Sequence, residues 1–247
     1  YVDKSIINSG SHNHIAKILK EMYGDKFVWV SRKEWYQFSE KEHKWVYVED
    51  GISLRQRISD ELPIIFREKY KKLNEEYIAE EEEGRRKLLE GYQKTAHKIL
   101  IDLGNATFKN HIMTEAREVF WKKNFVEKLN TNKKLLGFKN GVYDFQDDNN
   151  HHFRNGMPED YITKTMGIEY REFKEGDREL ELVDDFLMKI FPDKDLREFF
   201  MDNMADLCIG GNFRKKFYVW SGCGDNGKSI TQNIIEKIFG QYAVKLP

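Results

Sequence analysis

Hydrophobic side chains recur every three or four positions in six segments of the chain, a spacing that predicts amphipathic helices. The segments are residues 15–22, 52–103, 108–129, 183–190, 196–209 and 230–238. Gly24 is expected to end the first helix, and Pro63 to kink or divide the second. Asp184 and Asp185 are expected to open the fourth, because acidic side chains suit the positive end of a helix dipole.

Short runs rich in aromatic and β-branched residues predict strands elsewhere. Residues 27–30, 34–38 and 44–48 are separated by polar turns and predict an antiparallel three-stranded meander. Apolar runs on both sides of Asn140-Gly141 predict a hairpin that turns at this dipeptide. Residues 217–220 predict one more short strand, which leads into a glycine-rich turn.

That turn fits G-x-x-x-x-G-K-[ST], the phosphate-binding loop, whose glycines let backbone N–H groups close around an anionic phosphate chain. The alternative, a glycine turn that happens to precede a lysine, has odds of roughly 1% in a chain of this length. A strand before the loop and a helix after it are the expected context. We assign nucleotide binding to Gly222, Cys223, Gly224, Asp225, Asn226, Gly227, Lys228 and Ser229.

Two of these side chains carry the expected chemistry. Lys228 would reach the β- and γ-phosphates of ATP and is the candidate catalytic residue. The Ser229 hydroxyl would be a ligand of the Mg²⁺ that bridges those phosphates, and the N-terminus of the following helix would add its positive dipole end. ATP and Mg²⁺ are therefore the expected cofactors.

Composition narrows the class of protein. With 247 residues, of which 40% are hydrophobic, the chain can bury the core of one large domain or two. Its two cysteines favour a reducing, intracellular setting over a secreted disulfide scaffold. The sequence predicts neither a membrane span nor export. Since the chain begins at Tyr1 and stops soon after the loop, we expect it to be part of a longer protein.

The formal net charge is −1, so the chain as a whole has no basic excess that would attract nucleic acid. Any nucleic-acid-binding surface must be a local basic patch. Arg214, Lys215 and Lys216 are the candidate DNA contacts, together with lysines near residue 120. Aromatic residues of the meander, interleaved with Arg32, Lys33, Lys41 and Lys44, could also stack single-stranded bases. Their alternation favours a sheet that packs its aromatic face on helices.

Several stretches together resemble the helicase half of the primase–helicases of poxviruses, giant viruses and satellite phages. They are Asn140-Gly141-Val142 with Asp144, residues 158–163, the helices up to Gly210, and the loop of residues 222–229. Asn226, directly before Gly227, is similar to the loop residue of superfamily-three helicases.

The resemblance implies an α+β N-terminal region over residues 1–175 and a small helical collar over residues 176–212. Residues 213–247 would then be the first strand, phosphate loop and helix of an α/β AAA+ ATPase. It further implies an ATP-dependent replicative DNA helicase that assembles as a homo-hexamer around single-stranded or forked DNA. A viral protein of this kind would act at the replication site in the host cell.

One departure from the family bears on activity. Residues 230–247 contain no Asp and a single Glu, Glu236, so the carboxylates that complete the Mg²⁺ site and activate water are not among them. The sensor residues, the arginine finger and the DNA-contacting hairpin are expected beyond Pro247. We therefore expect this chain, taken alone, not to hydrolyse ATP.

Two other classes of protein stay open. A DNA-binding or oligomerisation module without its own activity would need no such acids. An unrelated phosphate-loop phosphotransferase, such as a small-molecule kinase, would also carry the loop, but there the loop normally opens the domain.

Overall fold

A computed structural model describes residues 1–147, 149–212, 214–224 and 226–245 of the chain. The fold is mixed α/β, with small sheets and many helices. It divides into two compact units, Tyr1–Phe38 with Val46–Val126, and Ser39–Trp45 with Glu127–Pro247. The family-based boundaries at residues 175 and 212 stay a prediction.

The first part of the chain is helical around one small sheet, in chain order α1 (Val2–Ile7), α2 (His12–Tyr23), β1 (Phe27–Ser31), β2 (Glu34–Ser39), β3 (Lys44–Glu49), α3 (Ile52–Asp60), α4 (Leu62–Ala79), α5 (Glu83–Asp102), α6 (Ala106–Phe120) and α7 (Phe125–Lys128). The meander is confirmed, with strand order β1-β2-β3 and β1 antiparallel to β2. Pro63 divides the long helical segment as expected, since it lies in the first turn of α4. The helix predicted over residues 108–129 ends at Phe120, and α7 is a separate single turn.

Aromatic side chains fill the core of the first unit. Phe120 is fully buried, and its ring centroid lies 5.8 Å from that of Trp35 and 6.4 Å from that of Phe27. In the second unit Trp45 is buried too, and its Nε1 donates a hydrogen bond of 2.8 Å to the carbonyl of Pro158. Trp35 and Trp45 therefore pack as core residues, and neither ring is exposed for stacking on bases.

The second unit contains β4 (Leu135–Phe138), β5 (Gly141–Asp144), β6 (His152–Arg154), α8 (Arg178–Ile190), α9 (Lys194–Cys208) and α10 (Lys228–Phe239). The predicted hairpin is confirmed as β4 and β5, which pair antiparallel and are joined to β6 in one sheet. Its turn lies one residue earlier than expected, at Lys139-Asn140, because Phe138 and Gly141 are already paired.

Two local predictions are wrong. Asp184 and Asp185 lie in the middle of α8, because the helix begins at Arg178 and its first turn holds Glu179 and Glu181 instead. Residues 217–220 form no strand and are exposed, with 87% of Phe217 and 78% of Val219 accessible to solvent. A strand needs neighbouring backbone groups to bond to, and no strand in the described parts of the chain pairs with this segment.

A buried ion cluster joins the ends of β5 and β6 to the 3₁₀ turn Pro158–Asp160. The Arg154 guanidinium donates to Asp144 Oδ2 from Nε at 3.0 Å and from Nη2 at 2.9 Å. It also forms a two-pronged pair with Asp160, at 2.8 Å and 2.7 Å. Burial acts to raise the pKa of Asp144, but hydrogen bonds from Gln146 and Arg154 outweigh it and leave that pKa below its ordinary value.

This cluster predicts how stability depends on pH. Since the pKa of Asp144 is depressed on folding, its contribution is complete above the ordinary carboxyl pKa of about 4 and is lost as the pH falls through the folded value. Asp144→Asn should therefore be less stable than the wild type at pH 7, and should lose less stability between pH 5 and pH 2. Urea unfolding followed by circular dichroism measures both quantities.

The matched control is Asp184→Asn, which changes an exposed carboxyl on α8. It should leave the unfolding free energy within about 0.5 kcal/mol of the wild type at each pH. A pH dependence that is the same in both variants would contradict the role given to Asp144.

Candidate phosphate-binding site

The glycine-rich loop leads directly into the N-terminus of α10. Gly227 is the residue before the helix and has φ 77° and ψ 0°, in the left-handed region that favours glycine. Lys228 and Ser229 are then the first two helical residues, and they lie where the free N–H groups of the helix point. This is the context expected on the helix side of a phosphate loop. Asp225 lies outside the described residues.

The Lys228 ammonium is held inside the curve of the loop. Its Nζ donates to the carbonyls of Gly222 and Cys223 at 3.1 Å and 3.2 Å, and to Asn226 Oδ1 at 2.6 Å. A positive charge is thereby placed among neutral acceptors of the loop. An anionic group that enters the loop would compete with them, because it adds charge–charge attraction to the hydrogen bond.

Two glycines of the loop lie so close to other atoms that a side chain would not fit there. A Cβ at Gly222 would lie 2.2 Å from Asn226 Nδ2, and a Cβ at Gly227 would lie 2.8 Å from Ile190 Cδ1 of α8. Gly224, in contrast, has open space around it. Close neighbours therefore require glycine at positions 222 and 227, but not at position 224.

Magnesium fits this loop only as a companion of the phosphates. The exposed Ser229 hydroxyl is a single oxygen ligand. Within the described ranges, no group of three or more His, Cys, Asp or Glu side chains could hold a metal ion. A cation at this position would take its other ligands from phosphate oxygens and water.

Aromatic side chains of α9 position the segment that precedes the loop. The Trp220 ring centroid lies 5.8 Å from that of Phe200, and Phe200 stacks on Phe191 at 4.6 Å. Tyr218 meets Phe199 edge-on at 6.1 Å. Although the segment is not a strand, these contacts attach it to the helices that come before it in the chain.

The predicted DNA contacts lie in an exposed turn after α9. Arg214 is paired with Asp206, with Nε 3.1 Å from Oδ2, so part of its charge is already balanced. The Lys216 backbone is braced by the Asn212 side chain, which accepts from its N–H at 3.0 Å and donates to its carbonyl at 2.7 Å. Lys215 has φ 49°. A role of these three residues in DNA binding stays a prediction.

Sequence reasoning missed one contact in the loop. Asn226 was singled out as typical of a helicase family, but not as the side chain that holds Lys228. Its signal was its place two residues before the lysine, from which an amide oxygen can reach the ammonium.

None of the helices in the described ranges combines the length and the apolar character needed to cross a bilayer.

Comparison with protein families decides what kind of chain carries this loop. Residues 16–192 match the family described as D5 N terminal like. The chain belongs to this family. The match ends between α8 and α9, so the loop of residues 222–229 lies outside the matched region.

Relatives of this D5 N terminal like chain come from large DNA viruses. A protein of Acanthamoeba polyphaga mimivirus named "putative helicase" is 31% identical over 234 residues, which are 93% of this chain and 24% of the relative. A "putative helicase" of Invertebrate iridescent virus 6 is 44% identical over 126 residues, 50% of this chain and 13% of the relative. A "putative primase" of African swine fever virus is 25% identical over 252 residues, 95% of this chain and 26% of the relative. The chain thus spans about a quarter or less of the length of each relative.

Gly227, which is in a left-handed conformation and close to Ile190, and Gly224, which has open space around it, together give a test of the loop geometry. Gly227→Ala should destabilise the start of α10 by about 1–2 kcal/mol, because alanine disfavours a left-handed conformation. Hydrogen exchange read by mass spectrometry should show faster exchange across α10. Gly224→Ala, made in open space, should leave that exchange unchanged, and equal effects of the two variants would contradict the described loop.

Proposed function

We propose that the chain is the N-terminal helicase region, with its phosphate loop, of an ATP-driven replicative DNA helicase of a large DNA virus. The carrying observation is the order along one chain: a D5 N terminal like region, and after it the loop whose Lys228 lies at the N-terminus of α10. The names of the relatives, helicase and primase, support the same assignment.

In this proposal the loop binds the phosphates of ATP. Lys228 Nζ exchanges its bonds to the Gly222 and Cys223 carbonyls for bonds to β- and γ-phosphate oxygens. The free N–H groups at the start of α10 donate to the same anion. Mg²⁺ bound with the nucleotide would supply charge neutralisation at the phosphates, and the Ser229 hydroxyl would be one of its ligands. Asn226 keeps Lys228 in position before the nucleotide arrives.

The proposed setting follows from the same assignment. The longer protein acts on single-stranded or forked DNA, assembles as a homo-hexamer, and works where the viral genome is replicated. Arg214, Lys215 and Lys216 stay the candidate DNA contacts in the exposed turn after α9.

A second candidate function is an assembly module without its own activity. The observation that favours it is the number of large apolar side chains exposed on the two helices before the loop, among them Leu182, Leu196 and Phe199 at 57%, 51% and 53%. Exposed apolar side chains of this size are typical of interaction surfaces when they are contiguous. An unrelated phosphotransferase is disfavoured by the family match over residues 16–192.

Nucleotide binding is the first test of the proposal. Titration with a fluorescent ATP analogue and Mg²⁺ should show binding by the 247-residue chain that Lys228→Ala weakens at least tenfold, because a charge-assisted bond contributes about 1.5–3 kcal/mol. Lys237→Ala, at an exposed lysine in the last turn of the same helix, is the matched control and should bind like the wild type. Equal affinities of all three proteins would remove the proposed site.

ATP turnover separates binding from catalysis. Glu236, the one acid in residues 230–247, lies in the last turns of α10, away from the loop at the start of that helix, and pairs with Lys245 at 2.9 Å. Phosphate release by this chain should therefore not rise above background. A protein extended to include the downstream acids should hydrolyse ATP and lose that activity on Lys228→Ala. Turnover by the 247-residue chain that disappears in Lys228→Ala would contradict the expectation.

A further inference from the structure

The second unit contains a cavity of about 580 Å³ that the phosphate loop does not use. It opens to solvent, and its volume lies in the range of about 300–1,000 Å³ typical of small-ligand sites. Its lining comes from four separate parts of the chain: the loop between β2 and β3, the β4–β5 turn, residues 165–169, and residues 240–241. We call it the lysine pocket, after Lys41, Lys44 and Lys139.

Two of the three lysines have their ammonium groups available to a ligand. Lys44 is half-buried and paired with Glu42 at 3.0 Å, so these two charges balance each other. Lys41 and Lys139 are exposed, and neither ammonium group forms an ion pair or hydrogen bond with another described residue. Glu169 is the remaining charge of the lining. The free cations therefore outnumber the free carboxylate by two to one.

Both lysines project from turns whose backbones are fixed. The β2–β3 loop is closed by a hydrogen bond of 3.1 Å from the Glu42 N–H to Ser39 Oγ. In the β4–β5 turn, the Lys139 N–H donates to Ile168 at 3.2 Å, and the Asn140 side chain bonds both backbone groups of Tyr170 at 2.8 Å and 2.9 Å. Little ordering is needed before an anion can be held, which favours binding.

The floor of the pocket is apolar and tightly built. Met166 is buried, and its N–H donates to the Gly137 carbonyl at 2.7 Å. Next to it the backbones of Gly167 and Gly240 approach so closely that a Cβ at Gly240 would lie 2.3 Å from Gly167 N. A backbone surface without side chains, beside a methionine, suits an aromatic ring.

One polar group on this floor has a known orientation. Gln241 Oε1 accepts from the Thr165 N–H at 3.0 Å, so the oxygen of its amide faces Thr165. The amide nitrogen is then left as a donor at the pocket, suited to the carbonyl oxygen of a pyrimidine or of guanine.

We propose that the lysine pocket holds one nucleotide unit of single-stranded DNA. Lys41 and Lys139 bind its phosphate, and its base lies on the floor formed by Met166 and Gly167. A lone phosphate would contact the lysines but not the apolar floor. A nucleotide unit can contact both, its phosphate on the lysines and its base on the floor. A duplex keeps its bases stacked and paired, so it cannot offer one to the pocket. The inference rests on the proposed role in DNA replication and names a site for it.

The test compares two double variants that remove the same charge. Lys41→Gln/Lys139→Gln removes the two proposed phosphate contacts. Lys87→Gln/Lys94→Gln removes two exposed lysines of α5, each paired with a glutamate four residues earlier. Binding of a fluorescent oligothymidylate of about 15 nucleotides is measured by anisotropy at several salt concentrations, with circular dichroism as the check on folding.

The pocket variant should bind roughly tenfold more weakly than the wild type, and the slope of log K against log salt should flatten by about 1.4, or about 0.7 for each lost contact. The α5 variant should stay within about twofold of the wild type. Lys41→Arg/Lys139→Arg should keep both the affinity and the slope. A duplex of the same length should bind more weakly than the oligothymidylate.

Four results would overturn the inference: equal weakening by both glutamine variants, no effect of the pocket variant, no binding by the wild type at low salt, or a duplex that binds as tightly as the single strand. None of these touches the nucleotide loop, since Lys228-dependent binding of the ATP analogue is measured separately. If that binding failed while the oligothymidylate results held, the proposed helicase function would fall and the DNA site would stand.

Discussion

The pairing of one arginine with two carboxylates organises the second unit. Arg154 lies at the end of β6 and joins Asp144 on β5 to Asp160 in the following turn. All three side chains are largely buried. An unpaired charge in such a buried position would cost several kcal/mol. The carboxylates therefore keep the arginine charged, and its pKa lies above its ordinary value. The chain after β6 must return to the sheet for this pairing to form.

After the turn that holds Asp160, residues 162–168 run beside the sheet. The N–H of Met166 bonds to Gly137 of β4, and the N–H of Gly167 bonds to the carbonyl of Ile238 in α10 at 3.0 Å. The helix that begins at the phosphate loop is thus attached to the sheet near its other end. The phosphate loop, α10 and the sheet are therefore linked within the unit. The lysine pocket lies beside the end of α10 that bonds to residue 167.

How far the sequence predicts this arrangement depends on how local each signal is. The phosphate loop was found because its glycines and Lys228 are neighbours along the chain, and the isoleucines of α10 recur at helical spacing. Residues 217–220 carry a strand-like pattern, but a strand also requires partners, which no local pattern reveals. The lysine pocket had only a partial sequence signal, since Lys41 accompanies the aromatic meander but Lys139 is far away along the chain and resembles an ordinary surface lysine. Arg154 was missed because nothing in its local pattern marks it as the partner of two carboxylates.

The close contact between Gly167 and Gly240 has a mechanical consequence. It fixes one end of α10, whose 12 residues span about 18 Å, while the other end carries the loop. A Cβ at Gly240 would lie 2.3 Å from Gly167 N, so a larger residue at this position would push that end of the helix away from the sheet. The packing of two glycines at the far end of α10 thus bears on where its first turn, and with it the loop, is placed.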